Sequence, residues 1–187
     1  MLDNLRFYAG MRRDFKTVGA VAPSSGQLAR SMLKRLGPLQ PGQVIVELGP
    51  GTGAITKRIR RLYPEHPLLA VEFDELFARR LQNRFPGARI CAGCASRLPE
   101  HLERHGFQPE DVGGVISGLP LLNFPLELRS RIFDGIADSL PSGRRYVQFT
   151  YSKRAWRHIH PQRFQSEPSR RIFFNVPPAV VLPFIRS

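Results

Sequence analysis

The sequence predicts an α/β fold: a mainly parallel sheet with helices on both faces, closed by a C-terminal antiparallel hairpin. Three observations predict it. Apolar runs alternate with helix-periodic segments from Val44 onward, a glycine-rich turn follows the first run, and two apolar runs near the C-terminus flank a pair of prolines. With 187 residues, the chain is expected to form one domain, in which residues 1–36 are an N-terminal helical extension and residues 37–187 are the core.

Each element follows from its local pattern of apolar residues. Strands are predicted where apolar residues run together, at 44–47, 68–72, 88–92, 112–117 and 145–150. Apolar residues at helical spacing predict crossover helices at 54–62, 76–85 and 128–140. An earlier helix is expected to start at Ser24, where Gln27 completes a capping box, and to stop at Gly37. The expected hairpin strands are 171–174 and 179–182.

The turn after the first strand predicts a nucleoside-like ligand. Gly49, Gly51 and Gly53 alternate with other residues, so the backbone can turn sharply and approach a ligand without a Cβ in the way. Glu72 ends the second strand 19 residues after Gly53, a spacing that suits the hydroxyls of a ribose. The early acid Glu47 and the absence of a Gly-x-Gly-x-x-Gly pattern argue against NAD. The alternative is an ordinary strand–turn–helix unit whose glycines are structural.

This combination resembles the class I S-adenosylmethionine (SAM) methyltransferases, which implies a Rossmann-like sheet and SAM as cofactor. In such a sheet the carboxyl ends of the strands converge on one crevice. Glu47 is then expected to hold the amino group of SAM, the glycine turn its methionine part, and Glu72 its ribose hydroxyls. The full expected cofactor-binding set is Ser24, Ser25, Glu47, Gly49, Gly51, Thr52, Gly53, Glu72, Cys94, Ala95 and Gly118. Leu119 and Pro120 are expected to line the place where the methyl group meets its acceptor.

The net charge is the compositional outlier: it is +13 at pH 7, with an isoelectric point near 11.1. A charge of this size favours a polyanionic partner, either nucleic acid or an acidic membrane surface. No apolar run approaches the ~20 residues of a membrane-spanning helix, and the first residues carry no secretory signal pattern. Two cysteines do not make a disulfide framework, so a cytoplasmic location is expected.

The first residues have the pattern of a basic amphipathic helix. Apolar residues recur at helical spacing, with Arg12 and other cations between them: Leu5, Tyr8, Met11 and Phe15. A helix of this kind often lies in a membrane interface, with its apolar face buried and its cations at the headgroups. The alternative is a helix packed on the core.

Four segments narrow the resemblance: residues 19–25 (GAVAPSS), 46–53 (VELGPGTG), 117–125 (SGLPLLNFP) and 148–151 (QFTY). They look like the bacterial phospholipid N-methyltransferases, a family that includes enzymes acting on phosphatidylethanolamine and on ornithine lipids. The resemblance implies a soluble enzyme that methylates a lipid amine with SAM while docked peripherally on the anionic inner face of the membrane. Tyr151, Lys153 and Arg154 follow the fifth strand and are the expected headgroup contacts, with the two cations on the lipid phosphate.

Two other functions remain open from the sequence. The rRNA adenine N6-methyltransferases share the early layout but carry Asn-Leu-Pro-Tyr where this chain has Gly118 to Leu121. Glycine offers no acceptor for the adenine amine and leucine no ring for stacking, so nucleic acid is the less favoured partner. The other alternative is a non-catalytic basic membrane- or RNA-binding protein with a degenerate SAM site, because Cys94 stands where both families usually carry Asp.

A zinc site is the remaining hypothesis that the motifs raise. Cys91 and Cys94 are followed by His101 and His105, but only six residues separate Cys94 from His101, against ~12 or more in the usual zinc finger. Cys91 also falls inside an apolar strand, whose successive side chains point to opposite faces. We therefore expect no metal, a buried Cys91 and two solvated histidines.

Overall fold

The computed structural model describes residues 26–157, 159, 161–173 and 178–187. In this part of the chain the strands are β1 Val44–Leu48, β2 Leu68–Glu72, β3 Arg89–Ala92, β4 Val112–Ser117, β5 Arg145–Thr150, β6 Phe164–Ser166, β7 Arg170–Ile172 and β8 Ala179–Arg186. The helices are α1 Gly26–Leu33, α2 Ala54–Leu62, α3 Glu75–Arg84, α4 Leu98–Arg104, α5 Leu126–Ser139 and α6 Lys153–Trp156. Short 3-10 turns lie at Ala95–Arg97, Pro109–Asp111 and Leu121–Asn123.

The strands form one mixed sheet in the order β3-β2-β1-β4-β5-β8-β6, and β7 pairs with β8. Strands β1 to β5 are parallel to one another, whereas β8 runs antiparallel to β5, β6 and β7. The predicted α/β fold, with a mainly parallel sheet and a closing antiparallel pair, is therefore confirmed. The strand order reverses between β1 and β4, and open parallel sheets bind their ligands beyond the carboxyl ends of the strands at such a point.

Helices cover both faces of the sheet, which explains why its central strands are continuous apolar runs. Every residue of β1, β2 and β4 is buried. Helices α1 and α2 pack on one face through Leu28, Met32 and Ile59, while α4 and α5 pack on the other face through Leu102 and Ile136. Burying a side chain of this size contributes roughly 1.5–3 kcal/mol each, so the two layers hold the strand ends in fixed positions.

Several elements differ from the sequence-based expectation. Helix α4 was not predicted, and it packs against α5 beside the end of β3. Strand β6 was not predicted either, because it has three residues of which two are exposed. Strand β8 continues to Arg186, beyond the predicted 179–182, because its residues pair with both β5 and β6.

Part of the N-terminal prediction lies outside the described residues. This applies to the amphipathic helix carrying Leu5, Tyr8, Met11, Arg12 and Phe15, and to Ser24 and Ser25. Helix α1 is described from Gly26, and the chain turns away from it at Gly37, whose φ of 79° is in the left-handed region. Among the helices of the described residues, none combines the length and apolarity needed to cross a membrane.

Candidate active site

The glycine turn between β1 and α2 depends on residues that lack a Cβ. Gly49, Gly51 and Gly53 have φ values of 68°, 57° and 81°, all in the left-handed region that other residues rarely adopt. A Cβ on Gly49 would also lie 2.6 Å from Cδ2 of Leu119, and one on Gly53 would lie 2.8 Å from the Leu81 side chain. The turn is therefore held close to both neighbouring elements, with Thr52 exposed between them.

Glu47 places a buried carboxyl group at the start of this turn. Its side chain is fully buried, and its Oε2 accepts a 2.7 Å hydrogen bond from the hydroxyl of Thr56 on α2. Its Oε1 is also buried and has no hydrogen-bond partner in the described part of the chain. Burial raises the pKa of Glu47 to about 8, and the bond from Thr56 opposes that shift. A cationic ligand group would supply the missing partner and favour the ionised form.

Glu72 ties the glycine turn to the beginning of α3. Its carboxylate is fully buried; Oε2 accepts from the Gly51 N–H at 3.0 Å and Oε1 accepts from the Asp74 N–H at 3.1 Å. The structure thus brings both predicted acids, Glu47 and Glu72, to the glycine turn.

The turn after β3 is supported by a buried histidine. Cys94 is half-buried, and its Sγ lies 3.1 Å from Oγ of Ser96, so the two side chains share a hydrogen bond. His101 is only 4% exposed, and its Nε2 lies 3.1 Å from the carbonyl oxygen of Cys94. A Cβ on Gly93 would lie 2.5 Å from the His101 ring. His101 therefore supports the Gly93–Cys94 backbone from behind, and burial lowers its pKa.

The expectation of two solvated histidines is thus wrong for His101. Helix α4 buries Leu98, His101 and Leu102 on one face, a spacing that places the imidazole in the interior. His105 is half-buried, and its ring nitrogens lie 3.6 and 3.7 Å from Sγ of Cys91. Cys91 is buried as expected, which raises its pKa to about 11. Within the described residues no group of three or more His, Cys, Asp or Glu side chains is arranged to hold a metal ion.

The segment after β4 packs directly on the glycine turn. The N–H of Gly118 donates to the carbonyl of Leu48 at 2.8 Å, and a Cβ on Gly118 would lie 2.8 Å from the carbonyl oxygen of Gly49. The side chain of Leu119 lies against Gly49, and Leu119 and Pro120 are both half-buried. The structure therefore brings Gly118 and Leu119 to the glycine turn, and Pro120 is the next residue in the chain.

The segment after β5 combines an aromatic ring with exposed cations. Tyr151 is 40% exposed, and its ring meets the Phe149 ring edge-on at a centroid distance of 5.5 Å. Lys153 and Arg154 begin the short helix α6 and are exposed, and neither forms an ion pair in the part of the chain that the structure describes. This helix is anchored by Trp156, which is buried in the core. The sequence pattern therefore places Tyr151, Lys153 and Arg154 correctly at the carboxyl end of β5.

Two relatives are similar to this chain in sequence. The ornithine lipid N-methyltransferase of Singulisphaera acidiphila is 32% identical over 185 residues, which covers 92% of this chain and 92% of that protein. Ribosomal RNA small subunit methyltransferase A of Burkholderia ambifaria is 47% identical over 68 residues, but these cover only 35% of this chain and 24% of that protein. No family model matches the chain.

Solved structures match the fold at low sequence identity. TrmN from Thermus thermophilus aligns with a TM-score of 0.67 and 21% identity, covering 87% of this chain and 49% of that chain. The geranyl diphosphate C-methyltransferase of Streptomyces coelicolor, solved with S-adenosyl-L-homocysteine, aligns with a TM-score of 0.65 and 14% identity. It covers 86% of this chain and 80% of that chain. The fold is therefore that of the class I methyltransferases.

Proposed function

We propose, since this chain belongs to the family of bacterial lipid N-methyltransferases, that it transfers a methyl group from SAM to the amine of a membrane lipid headgroup. The acceptor is an ornithine lipid or a phospholipid of the phosphatidylethanolamine type. The chain is a SAM-dependent methyltransferase, given its likeness to an ornithine lipid N-methyltransferase over nearly the full length of both proteins. The lipid class, the membrane location and the residue roles below are our proposals.

The residues around the glycine turn fit SAM. Oε1 of Glu47 is buried and has no hydrogen-bond partner among the described residues, which suits the α-amino group of SAM, and the buried carboxyl group of Glu72 at the end of β2 suits the ribose hydroxyls. The left-handed glycines allow the methionine part of SAM to approach the backbone of the turn. Cys94 and Ala95 follow β3, the strand beside β2, where they can border the adenine. When bound, SAM supplies an electrophilic methyl group on a sulfonium.

The residues beyond β4 and β5 suit an amine acceptor that carries an anion. Lys153 and Arg154 would bind the headgroup anion, a phosphate in a phospholipid or a carboxylate in an ornithine lipid. Tyr151 would contact the headgroup between them and the methyl group, while Leu119 and Pro120 wall the transfer site. The amine must lose its proton before it attacks, so an apolar wall that excludes water and fixes its position contributes to the rate.

The membrane proposal rests on an apolar rim at the edge of the sheet where the parallel strands have their carboxyl ends. In the described residues, four exposed large apolar side chains are placed there by the topology, each just after a strand end or at the start of the following helix: Leu76, Leu126, Tyr151 and Phe173. Their exposure ranges from 40% to 70%. A fifth exposed apolar side chain, Leu62, ends α2 at the opposite edge.

Charge supports an anionic bilayer as the surface that meets this rim. The segments that carry Tyr151 and Phe173, residues 151–157 and 170–173, contain five Lys or Arg side chains and no acid. Exposed cations among apolar side chains favour a negatively charged membrane interface, where each cation near the surface contributes about 1 kcal/mol. We therefore propose that the protein works on the inner face of the cytoplasmic membrane, docked through this rim.

The short rRNA methyltransferase match supports a second candidate, methylation of an RNA base. The geometry at Leu121 argues against it, because this side chain is 1% exposed in the core and presents no surface to a flipped base. Gly118 also provides no side-chain acceptor for an adenine amine. A methylation assay that offers both lipid and RNA separates these two candidates from a protein that does not catalyse transfer.

The proposal is tested by incubating the protein with methyl-labelled SAM and two acceptors in parallel: vesicles of total bacterial lipid and purified small-subunit rRNA. We expect label in an amine lipid and none in the RNA. Label in the RNA alone would contradict the proposal. No label in either acceptor, with no heat of SAM binding by calorimetry at millimolar cofactor, would favour a non-catalytic protein with a degenerate site.

A further inference from the structure

A buried glutamine on β5 holds the loop that lines the transfer site. Gln148 is fully buried, and its Nε2 donates to the carbonyl of Leu119 at 3.0 Å and to the carbonyl of Phe149 at 2.7 Å. Its Oε1 accepts from the hydroxyl of Tyr146 at 2.7 Å. A single side chain thus connects the end of β5 to the loop that follows β4.

These contacts fix the orientation of the amide. Turning it over would point the side-chain oxygen of Gln148 at two carbonyl oxygens, which cannot donate. Tyr146 beneath it is fully buried, and burial raises the pKa of its phenol well above the usual range, so the hydroxyl keeps its proton. Every donor and acceptor of the Gln148 amide therefore has a partner, as a buried polar group requires.

The loop is held at a second point by Ser117. The main-chain N–H of Leu119 donates to the Ser117 hydroxyl at 3.2 Å, and Ser117 is fully buried. The N–H and the C=O of Leu119 are therefore both bonded to buried side chains. The side chain of the same residue packs on Gly49 in the cofactor turn. Leu119 thus contacts both the glycine turn and the hydrogen-bond network formed by Tyr146, Gln148 and Ser117.

We infer that Gln148 is a positioning residue for methyl transfer: with Tyr146 and Ser117, it fixes the backbone of Leu119 against the glycine turn. The network also reaches Phe149, two residues before Tyr151. It therefore fixes the distance between the Leu119 loop on the cofactor side and the Tyr151 segment on the headgroup side. The catalytic part of the inference rests on the proposed function. The loop-holding part depends only on the contacts given above.

The expected consequence is a change in rate with little change in cofactor binding. In-line attack on a methyl group is sensitive to geometry, and a misplacement of about 1 Å can lower a rate about 100-fold. The cofactor contacts proposed for Glu47 and Glu72 do not involve Gln148. Loss of the amide should therefore lower kcat and leave the KM and Kd of SAM almost unchanged.

Gln148→Met tests the inference because methionine has a similar length and shape but no amide. The variant is assayed on phosphatidylglycerol vesicles that contain the amine lipid labelled by the wild-type protein. We expect kcat to fall about 10- to 100-fold, with the Kd of SAM changed less than about twofold. Ser139→Ala is the matched control, since it removes a fully buried hydroxyl that has no hydrogen-bond partner in the described residues.

Amide hydrogen exchange of the peptide covering residues 117–124 supplies a readout that needs no substrate. Gln148→Met should exchange faster in this peptide, while Ser139→Ala should match the wild type. If Gln148→Met does not fold, Tyr146→Phe is the second variant. It removes the hydroxyl that orients the amide and should give the same changes to a smaller extent.

Unchanged kcat, or a kcat that falls only with the folded fraction, would overturn the catalytic part of the inference. Unchanged exchange in residues 117–124 would overturn the loop-holding part. A wild-type protein that methylates no lipid would instead refute the proposed function and with it the catalytic part, and the exchange measurement would then decide the loop-holding part alone.

Discussion

The hydroxyl of Thr56 donates a 2.7 Å hydrogen bond to Oε2 of Glu47, while Oε1 of the same carboxyl group is buried without a partner in the described part of the chain. Half of the carboxyl group is thus satisfied by the protein, and half is available to a ligand. Because burial raises the pKa of Glu47 to about 8, the group is mostly protonated at neutral pH in the protein without ligand. Binding of a cationic ligand should release that proton.

The first prediction is that SAM affinity rises with pH as Glu47 ionises. The amino group of SAM interacts with a carboxylate more strongly than with a neutral acid, so the Kd should fall as pH increases toward about 8. Glu47→Gln should remove this dependence and weaken SAM binding about 10- to 100-fold, the effect of losing a charge-assisted bond. Calorimetric titrations between pH 6 and pH 9 measure both effects. A Kd of the wild-type protein that does not vary over this range would contradict the assignment.

The second prediction concerns stability without SAM. The folded-state pKa of Glu47 lies above its ordinary value of 4.5, so folding takes up a proton between 4.5 and about 8. The stabilising contribution is therefore full below pH 4.5 and is lost as pH rises through about 8. Glu47→Gln does not titrate, so its melting temperature relative to wild type should be higher at pH 9 than at pH 5. A constant difference between the two proteins across that interval would show that Glu47 does not titrate in this range.

The third prediction is that Cys94→Asp strengthens SAM binding. A carboxylate at this half-buried position can accept from the adenine amine, whereas the thiol is a weak acceptor and is already bonded to Ser96. One hydrogen bond to a charged group corresponds to about a tenfold lower Kd. Calorimetry with SAM compares this variant with Cys94→Ala, which should differ little from wild type. Weaker binding by Cys94→Asp would show that the adenine does not lie at this turn.

The fourth prediction tests the docking rim. Leu126→Ser and Phe173→Ser should each weaken binding to phosphatidylglycerol vesicles about 5- to 20-fold, because each removes apolar area that the bilayer would bury. Leu62→Ser is the control, since Leu62 is also an exposed apolar side chain but lies at the opposite edge of the sheet. Vesicle sedimentation measures the effect. Equal losses for all three variants would mean that this rim does not face the membrane.

The fifth prediction concerns the headgroup cations. Lys153→Gln and Arg154→Gln should raise the KM for the lipid and leave the Kd of SAM unchanged, because these side chains follow β5, which β4 separates from the strand that leads into the glycine turn. Arg104→Gln is a suitable control: this exposed arginine ends α4 and pairs with Glu100 at 3.6 Å. If neither Lys153→Gln nor Arg154→Gln changes the lipid KM, these side chains do not bind the headgroup anion.

The sequence is sufficient to predict the glycine turn and the parallel strands around it, because these features depend on local chemistry. Alternating glycines after a buried strand permit few conformations, and an acid at the end of the next strand must lie beside them when the strands are parallel. The exposed segment after β5 is equally predictable, since Tyr151, Lys153 and Arg154 directly follow a clear strand.

The polar groups that support the site could not be predicted in the same way. Thr56 and Gln148 are buried and bond to groups nine and 29 residues away in the chain, and no local pattern distinguishes them from exposed polar residues. His101 had a usable signal, because Leu98 and Leu102 flank it at helical spacing. That signal depends on recognising a helix of only seven residues that carries a proline in its first turn.

The most direct test of the account is a crystal structure of the protein with S-adenosylhomocysteine and a short-chain amine lipid. We expect the α-amino group of S-adenosylhomocysteine to meet Oε1 of Glu47, the ribose hydroxyls to meet Glu72, and the lipid amine to lie beside Leu119 with its anion near Arg154. A nucleoside bound elsewhere, or a Glu72 carboxylate that turns away from the ribose, would contradict it.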